Sequence, residues 1–180
     1  MSSSIQHPTP DEYAPWAADY VQRVGEGDVL AILAGQSDEL EQTLGRLSDQ
    51  DALFRFGPGE WSIKEVVGHL CDFERIIYYR TLCISRGEQA TLPGFDQDDY
   101  VSGTHFDDYP LLELLEEFRL IRQSNLLSLK HFSAETGLKR GSVSSGEFTV
   151  RALVYMLAGH VYHHLEALRT RYAQELKETK

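Results

Sequence analysis

Residues 62–86 read SIKEVVGHLCDFERIIYYRTLCISR. Ile63, Val66, Val67, Leu70, Phe73 and Ile77 recur at intervals of three and four, the period of one helical face and not of a strand. Ser62 and Glu65 stand at its start as S-x-x-E. In such a capping box the Ser hydroxyl accepts from the amide three residues on and the Glu side chain reaches back to the cap amide. Gly87 follows as the residue that closes the helix, because glycine takes the left-handed conformation a C-terminal stop requires. His69 lies three residues after Val66 and four before Phe73, so its imidazole belongs to the apolar stripe and points at whatever the helix packs against.

A second stripe opens at Thr149, a candidate N-cap, and carries Leu153, Met156, Leu157, Val161 and Leu168 toward an end near Leu176. His160 falls seven residues after Leu153, and His164 falls four before Leu168. At about 100° per residue His164 sits about 40° from His160, on the side of Leu157 and Leu168, whereas His163 sits about 60° to the other side, at the edge of the stripe. Residues four apart project from one helical face one turn apart, which lets two imidazoles share one ion. Taken singly, each of these histidines fits a hydrogen-bonded core residue. Three imidazoles on the inner faces of two helices cost a few kcal/mol in desolvation unless they share a role. Residue 161 is Val, so the glutamate of the zinc-protease HExxH pattern is missing. Val66 and Leu157 occupy the positions three before His69 and His160, which removes the Glu-x-x-His signature of di-iron bundles.

Two further helices complete the set. Leu30, Leu33, Leu40, Leu44 and Leu47 mark one from Asp28 to Leu47, and Asp108-Tyr109-Pro110 opens another that runs to Phe132. A short helix over Pro15 to Val24 precedes them, and residues 1–13 read as a loose segment or one draped over the surface. The connection from Glu88 to Tyr109, with Pro93-Gly94 and the acidic run Asp96 to Asp99, exceeds the usual bundle loop. The one from Ser133 to Phe148 fits a short hairpin or a loop. The chain is therefore expected to form one all-α domain over 1–180, a four-helix bundle with one long crossover.

Seventeen Lys and Arg oppose 28 Asp and Glu, and 17 − 28 = −11. That balance excludes a basic nucleic-acid footprint and a polybasic membrane surface. No stretch reaches the ~18–20 apolar residues of a membrane helix. MSSSIQHPTPDEY lacks the basic and apolar regions of a signal peptide, so a cytoplasmic location is expected. Cys71 and Cys83 fall on one helix about 18 Å apart, beyond disulfide reach, and read as packing residues.

The run Gly59-Glu60-Trp61-Ser62-Ile63-Lys64-Glu65-Val66-Val67-Gly68-His69-Leu70, then Phe73-Glu74-Arg75, Leu92-Pro93-Gly94-Phe95-Asp96 and Ala158-Gly159-His160-Val161-Tyr162-His163-His164-Leu165 resembles the DinB/YfiT-like superfamily over residues 28–172. The resemblance implies a four-helix bundle and a divalent metal held by His69, His160 and His164, with zinc or nickel foremost and iron or manganese as further options. It implies that His163 is the intervening histidine and not a ligand. Members of the wider superfamily include transferases and isomerases that use a low-molecular-weight thiol, so a thiol co-substrate and a small-molecule substrate are expected. Three neutral ligands with an open position form the catalytic arrangement. A bound water then has a pKa near ~7, and a bound thiol is deprotonated. A thiol-dependent S-transferase or a metal-dependent hydrolase follows. The alternatives are a metal-binding stress-response protein without turnover and a helical interaction module. Glu65, Asp72, Glu74 and Glu166 are the carboxylates near enough in sequence to orient the ligands. Glu65 is expected on the cap, and the others on a solvated face. Trp61 reads as an anchor at the helix start, and exposed Tyr78 and Tyr79 suggest a homodimer.

Overall fold

A computed structural model of the protein describes residues 5–144 and 146–172. Its long helices are α2 (Val29–Leu44), α3 (Ile63–Ser85), α5 (Leu111–Leu129) and α7 (Val150–Ala167); the short helix α1 (Ala18–Arg23) precedes them, and α4 (Gln97–Ser102) and α6 (Ala134–Leu138) lie in the connections. α3 lies against α5 and α7, and α2 lies against the same two helices from the opposite side, while α1 packs along α7. The architecture is the expected all-α four-helix bundle. No described helix is long and apolar enough to cross a membrane.

The helix starts follow their caps. Ser62 Oγ accepts from Glu65 N at 3.0 Å and Glu65 Oε2 accepts from Ser62 N at 2.8 Å. Asp28 accepts from Leu30 N at 3.0 Å, and Thr149 accepts from Ala152 N at 3.2 Å. Each contact satisfies one of the orphan amides of a first turn. α2 and α5 both stop three residues before their expected ends, at Leu44 and Leu129. α7 passes into a π-helical turn over Leu168–Tyr172, and the expected end near Leu176 lies outside the described residues.

α7 forms the centre of the molecule, with every residue from Ala152 to Val161 buried. Gly159 makes this possible: a Cβ there would stand 1.8 Å from the carbonyl oxygen of Tyr20. The missing side chain lets the α1 backbone rest directly on α7 beside His160. Gly68 plays the matching part on α3, where a Cβ would lie 2.4 Å from the Phe106 ring.

The long 88–109 connection is not a bare loop. Leu92 N donates to Ser142 O at 2.9 Å and Ser144 N donates to Leu92 O at 3.0 Å, which ties it to the hairpin of β1 (Arg140–Val143) and β2 (Gly146–Thr149). These two strands pair antiparallel from Arg140 with Thr149 to Val143 with Gly146, so of the two readings of the 133–148 connection the hairpin is the one observed. The connection then carries α4 and buries Val101 and Phe106 against α3.

Of the two readings of the N-terminal segment, loose or draped over the surface, the described residues from Ile5 fit the draped one: Gln6, His7, Thr9, Pro10 and Asp11 are exposed, while Ile5, Glu12, Tyr13 and Ala14 are buried as anchors. Glu12 accepts from Arg151 Nε at 2.6 Å and from Thr149 Oγ1 at 2.8 Å. Local composition, rich in Ser and Pro, could not show this, because the partners stand 139 and 137 residues away.

Candidate metal centre

His69 on α3 and His160 and His164 on α7 converge. Nε2 of His69 lies 3.0 Å from Nε2 of His160, which lies 3.2 Å from Nε2 of His164. All three ligand atoms fall within 4.8 Å of one another. His69 and His160 are each 1% exposed, and His164 is partly exposed. Aromatic rings close the back of the cluster. Phe73 stacks on His160 at 3.5 Å between centroids, Tyr20 meets His160 edge-on at 5.5 Å, and Trp61 lies 4.8 Å from His69.

Burial sets the charge state. Desolvation, followed by the nearby His163, pushes the His69 pKa down to about 4. Desolvation also holds His160 and His164 well below the ordinary histidine value, with the other imidazoles adding to it. A neutral imidazole carries one N–H and one lone pair. Ring nitrogens this close in a dry pocket repel unless a proton or a cation lies between them. Two ligands on a metal at ~2.1 Å sit about 3.0 to 3.4 Å apart for bond angles between octahedral and tetrahedral. The 3.0 and 3.2 Å separations fall in that window. The widest, at up to 4.8 Å, exceeds the ~4.2 Å that two such bonds span in line. A small inward swing of His164, the least buried ring, would let all three reach one ion. The donor set fits a borderline divalent cation.

His163 stands apart from the convergence. Its ring lies 5.0 Å from His164 and 5.6 Å from Tyr20, at the partly exposed edge where the helical wheel puts it.

The carboxylates divide differently from expectation. Glu65 serves the cap and also pairs with Arg55. Glu166 is exposed and pairs with Arg23. Asp72 makes no described hydrogen bond to His69, and its carboxyl pKa is raised by burial. Glu74 is the correction: in place of a solvated face it is 1% exposed in the core. Arg122 on α5 grips it through Nε at 2.9 Å and Nη2 at 2.8 Å, and Asn125 Nδ2 donates to it at 2.9 Å. Arg122 Nη1 also donates to Leu33 O and Gln36 Oε1, and Gln36 Nε2 donates to Ala158 O at 2.7 Å. This network joins all four long helices, and it grips α7 two residues before His160. Its sequence signal is the α5 stripe Leu111, Leu114, Leu115, Phe118, Arg122, Asn125, Leu129, whose spacing places two polar residues on a buried face.

A cavity of about 310 Å³ opens beside the cluster, walled by Trp61, Val66, Gln97, Asp98, His163 and His164. Trp61 anchors the helix start, as expected from sequence, and is also a wall of this cavity.

Fold and cluster together define a helical bundle with an internal three-histidine pocket. The sequence profile of the DinB superfamily matches residues 32–168, and the chain belongs to that superfamily. A protein of Oceanobacillus iheyensis named as a putative metal-dependent hydrolase is 26% identical over 137 residues, covering 74% of this chain and 77% of that one. Among solved structures, YfiT from Bacillus subtilis, described as a probable metal-dependent hydrolase with an unusual four-helix bundle topology, superposes with a TM-score of 0.76 at 13% identity. It covers 96% of this chain and 94% of its own. The mycothiol-dependent maleylpyruvate isomerase superposes with a TM-score of 0.64 at 10% identity, over 78% of this chain and 59% of that one. These two likenesses are likenesses of fold.

Proposed function

We propose that the protein is a divalent-metal-dependent enzyme acting on a small molecule, with His69, His160 and His164 as the metal ligands. The observation that carries this reading is the convergence of three ring nitrogens, those of His69 and His160 buried and that of His164 at the wall of an open cavity. A divalent ion held by these three residues, zinc or nickel foremost, would supply Lewis acidity that lowers the pKa of a water or thiol toward neutrality.

The chain's own residues do the rest. The three imidazoles offer lone pairs and no charge, so they do not neutralise the ion. Phe73 and Tyr20 exclude water from behind His160. Trp61 would give the substrate an apolar wall, and His163 lines the same cavity as a side chain able to exchange a proton with it. The relatives' names support metal-dependent hydrolysis first and a thiol-dependent reaction second, and the net charge of −11 supports a small molecule over a nucleic acid.

Elemental analysis of tag-free protein tests the reading. One divalent ion per chain is expected in the wild type and none in His69→Ala, with helical content unchanged. Equal metal content in the two overturns it.

A further inference from the structure

Behind the aromatic wall of the histidine cluster lies a second cavity, of about 400 Å³. Tyr20 and Phe73, whose rings pack on His160, also line this cavity, and Trp16 and Phe95 extend the apolar surface. It shares Gln97 and Asp98 with the cavity beside His164. Arg80 lines it as well, and Arg80 is 5% exposed.

The two buried arginines of the bundle contrast sharply. Arg122 has its carboxylate, Glu74, held by two hydrogen bonds. Arg80 donates from Nη2 to Pro93 O at 2.7 Å and lies 5.6 Å over the Phe95 ring. Its Nε is buried with no acceptor, and no carboxylate pairs with it, among the described residues. Asp96, on the same cavity, already accepts from the amides of Asp98 and Asp99 as the cap of α4. A buried guanidinium without a counter-charge is costly, and its Nε–Nη edge matches a carboxylate in a two-point fork. Acidic neighbours and a single positive charge favour a monoanion over a phosphate dianion. His69, Phe73 and Arg80 follow one face of α3 at i, i+4 and i+11, which sets His69 and Arg80 about 16 Å apart along the axis.

We propose that this cavity is a second subsite, in which Arg80 binds the carboxylate of an apolar-bodied small molecule. That the far end of this molecule reaches the histidine cavity past Gln97 and Asp98 rests on the function proposed above. The carboxylate site itself does not.

Calorimetric titration of the full chain, metal-loaded and chelated, with phenylacetate, phenylacetamide and inorganic phosphate tests it. Phenylacetate should bind in both forms. Phenylacetamide should bind at least roughly tenfold more weakly, the loss of one charge-assisted pair. Arg80→Gln should lose a similar factor while keeping its metal content, and Arg80→Lys should retain part of the affinity. Several results overturn the proposal: no phenylacetate binding at millimolar concentration, equal affinity for the amide, phosphate binding tighter than phenylacetate, or unchanged binding in Arg80→Gln. Binding that vanishes on chelation places the carboxylate at the histidines and overturns it too. If Arg80→Gln does not fold, the acid–amide comparison on the wild type and Arg80→Lys still decide. Absence of metal in the wild type would sink the function proposed above and leave this titration readable.

Discussion

His163 and His164 are adjacent in sequence and differ in what they face. His164 Nε2 lies 3.2 Å from His160 Nε2, whereas the His163 ring packs near Tyr20. His164→Ala is expected to empty the metal site and His163→Ala to retain the ion, with lowered turnover. Competitive metal titration separates them: loss of a ligand should exceed the 10- to 100-fold weakening typical of a residue that only orients one. Metal loss from His163→Ala instead would reverse the ligand assignment. The depressed histidine pKa values carry a second expectation. His69 takes up its proton near pH 4 when folded and near 6.5 when unfolded. Between those values the unfolded chain binds more protons, so the metal-free protein loses stability as pH falls from about 6.5 to about 4. His69 alone contributes on the order of 3 kcal/mol to that loss, and His160 and His164 act in the same direction. Urea unfolding of chelated protein at pH 7 and pH 5 measures it, and equal stability at the two would refute it.

At the level of elements, the helices were legible where the information is local. The capping box at Ser62, the caps at Asp28 and Thr149, and the stripes of α3 and α7 all lie within a few residues of what they control. The Glu74–Arg122 pair was not legible, because its members are 48 residues apart and only the packing of α3 on α5 brings them together. Arg122→Met should cost about 3–5 kcal/mol, since Glu74 is then buried without its counter-charge. Adding Glu74→Leu should recover much of that loss. Urea midpoints of the single and double variants check both statements. If the single variant is as stable as wild type, the network does not clamp the helices. Metal affinity should fall in the single variant as well, because Gln36, which bridges Arg122 to Ala158, loses its anchor beside His160.

Across the whole molecule, two apolar clusters support the bundle on either side of the histidines, one containing Leu33, Ile77 and Leu153 and the other Leu40, Leu70 and Phe118. The fold therefore does not depend on a metal in the way a zinc finger does. Chelation should lower the melting temperature by only a few degrees and leave the far-ultraviolet circular dichroism unchanged at 25 °C. Unfolding on chelation would make the ion structural and favour a role without turnover.

Helical period, caps and the i, i+4 spacing of His160 and His164 are properties of neighbouring residues, so the bundle and the inward-facing histidines can be read along the chain. Tertiary structure decided the rest: the docking of residues 5–14 through Glu12 and Arg151, the burial of Glu74, the aromatic wall of Tyr20 and Phe73, and the unmatched charge of Arg80. Each of these depends on which distant group arrives beside a side chain, and desolvation then sets its charge and its cost. Periodicity reports the direction a residue faces and carries no information about the partner it meets there.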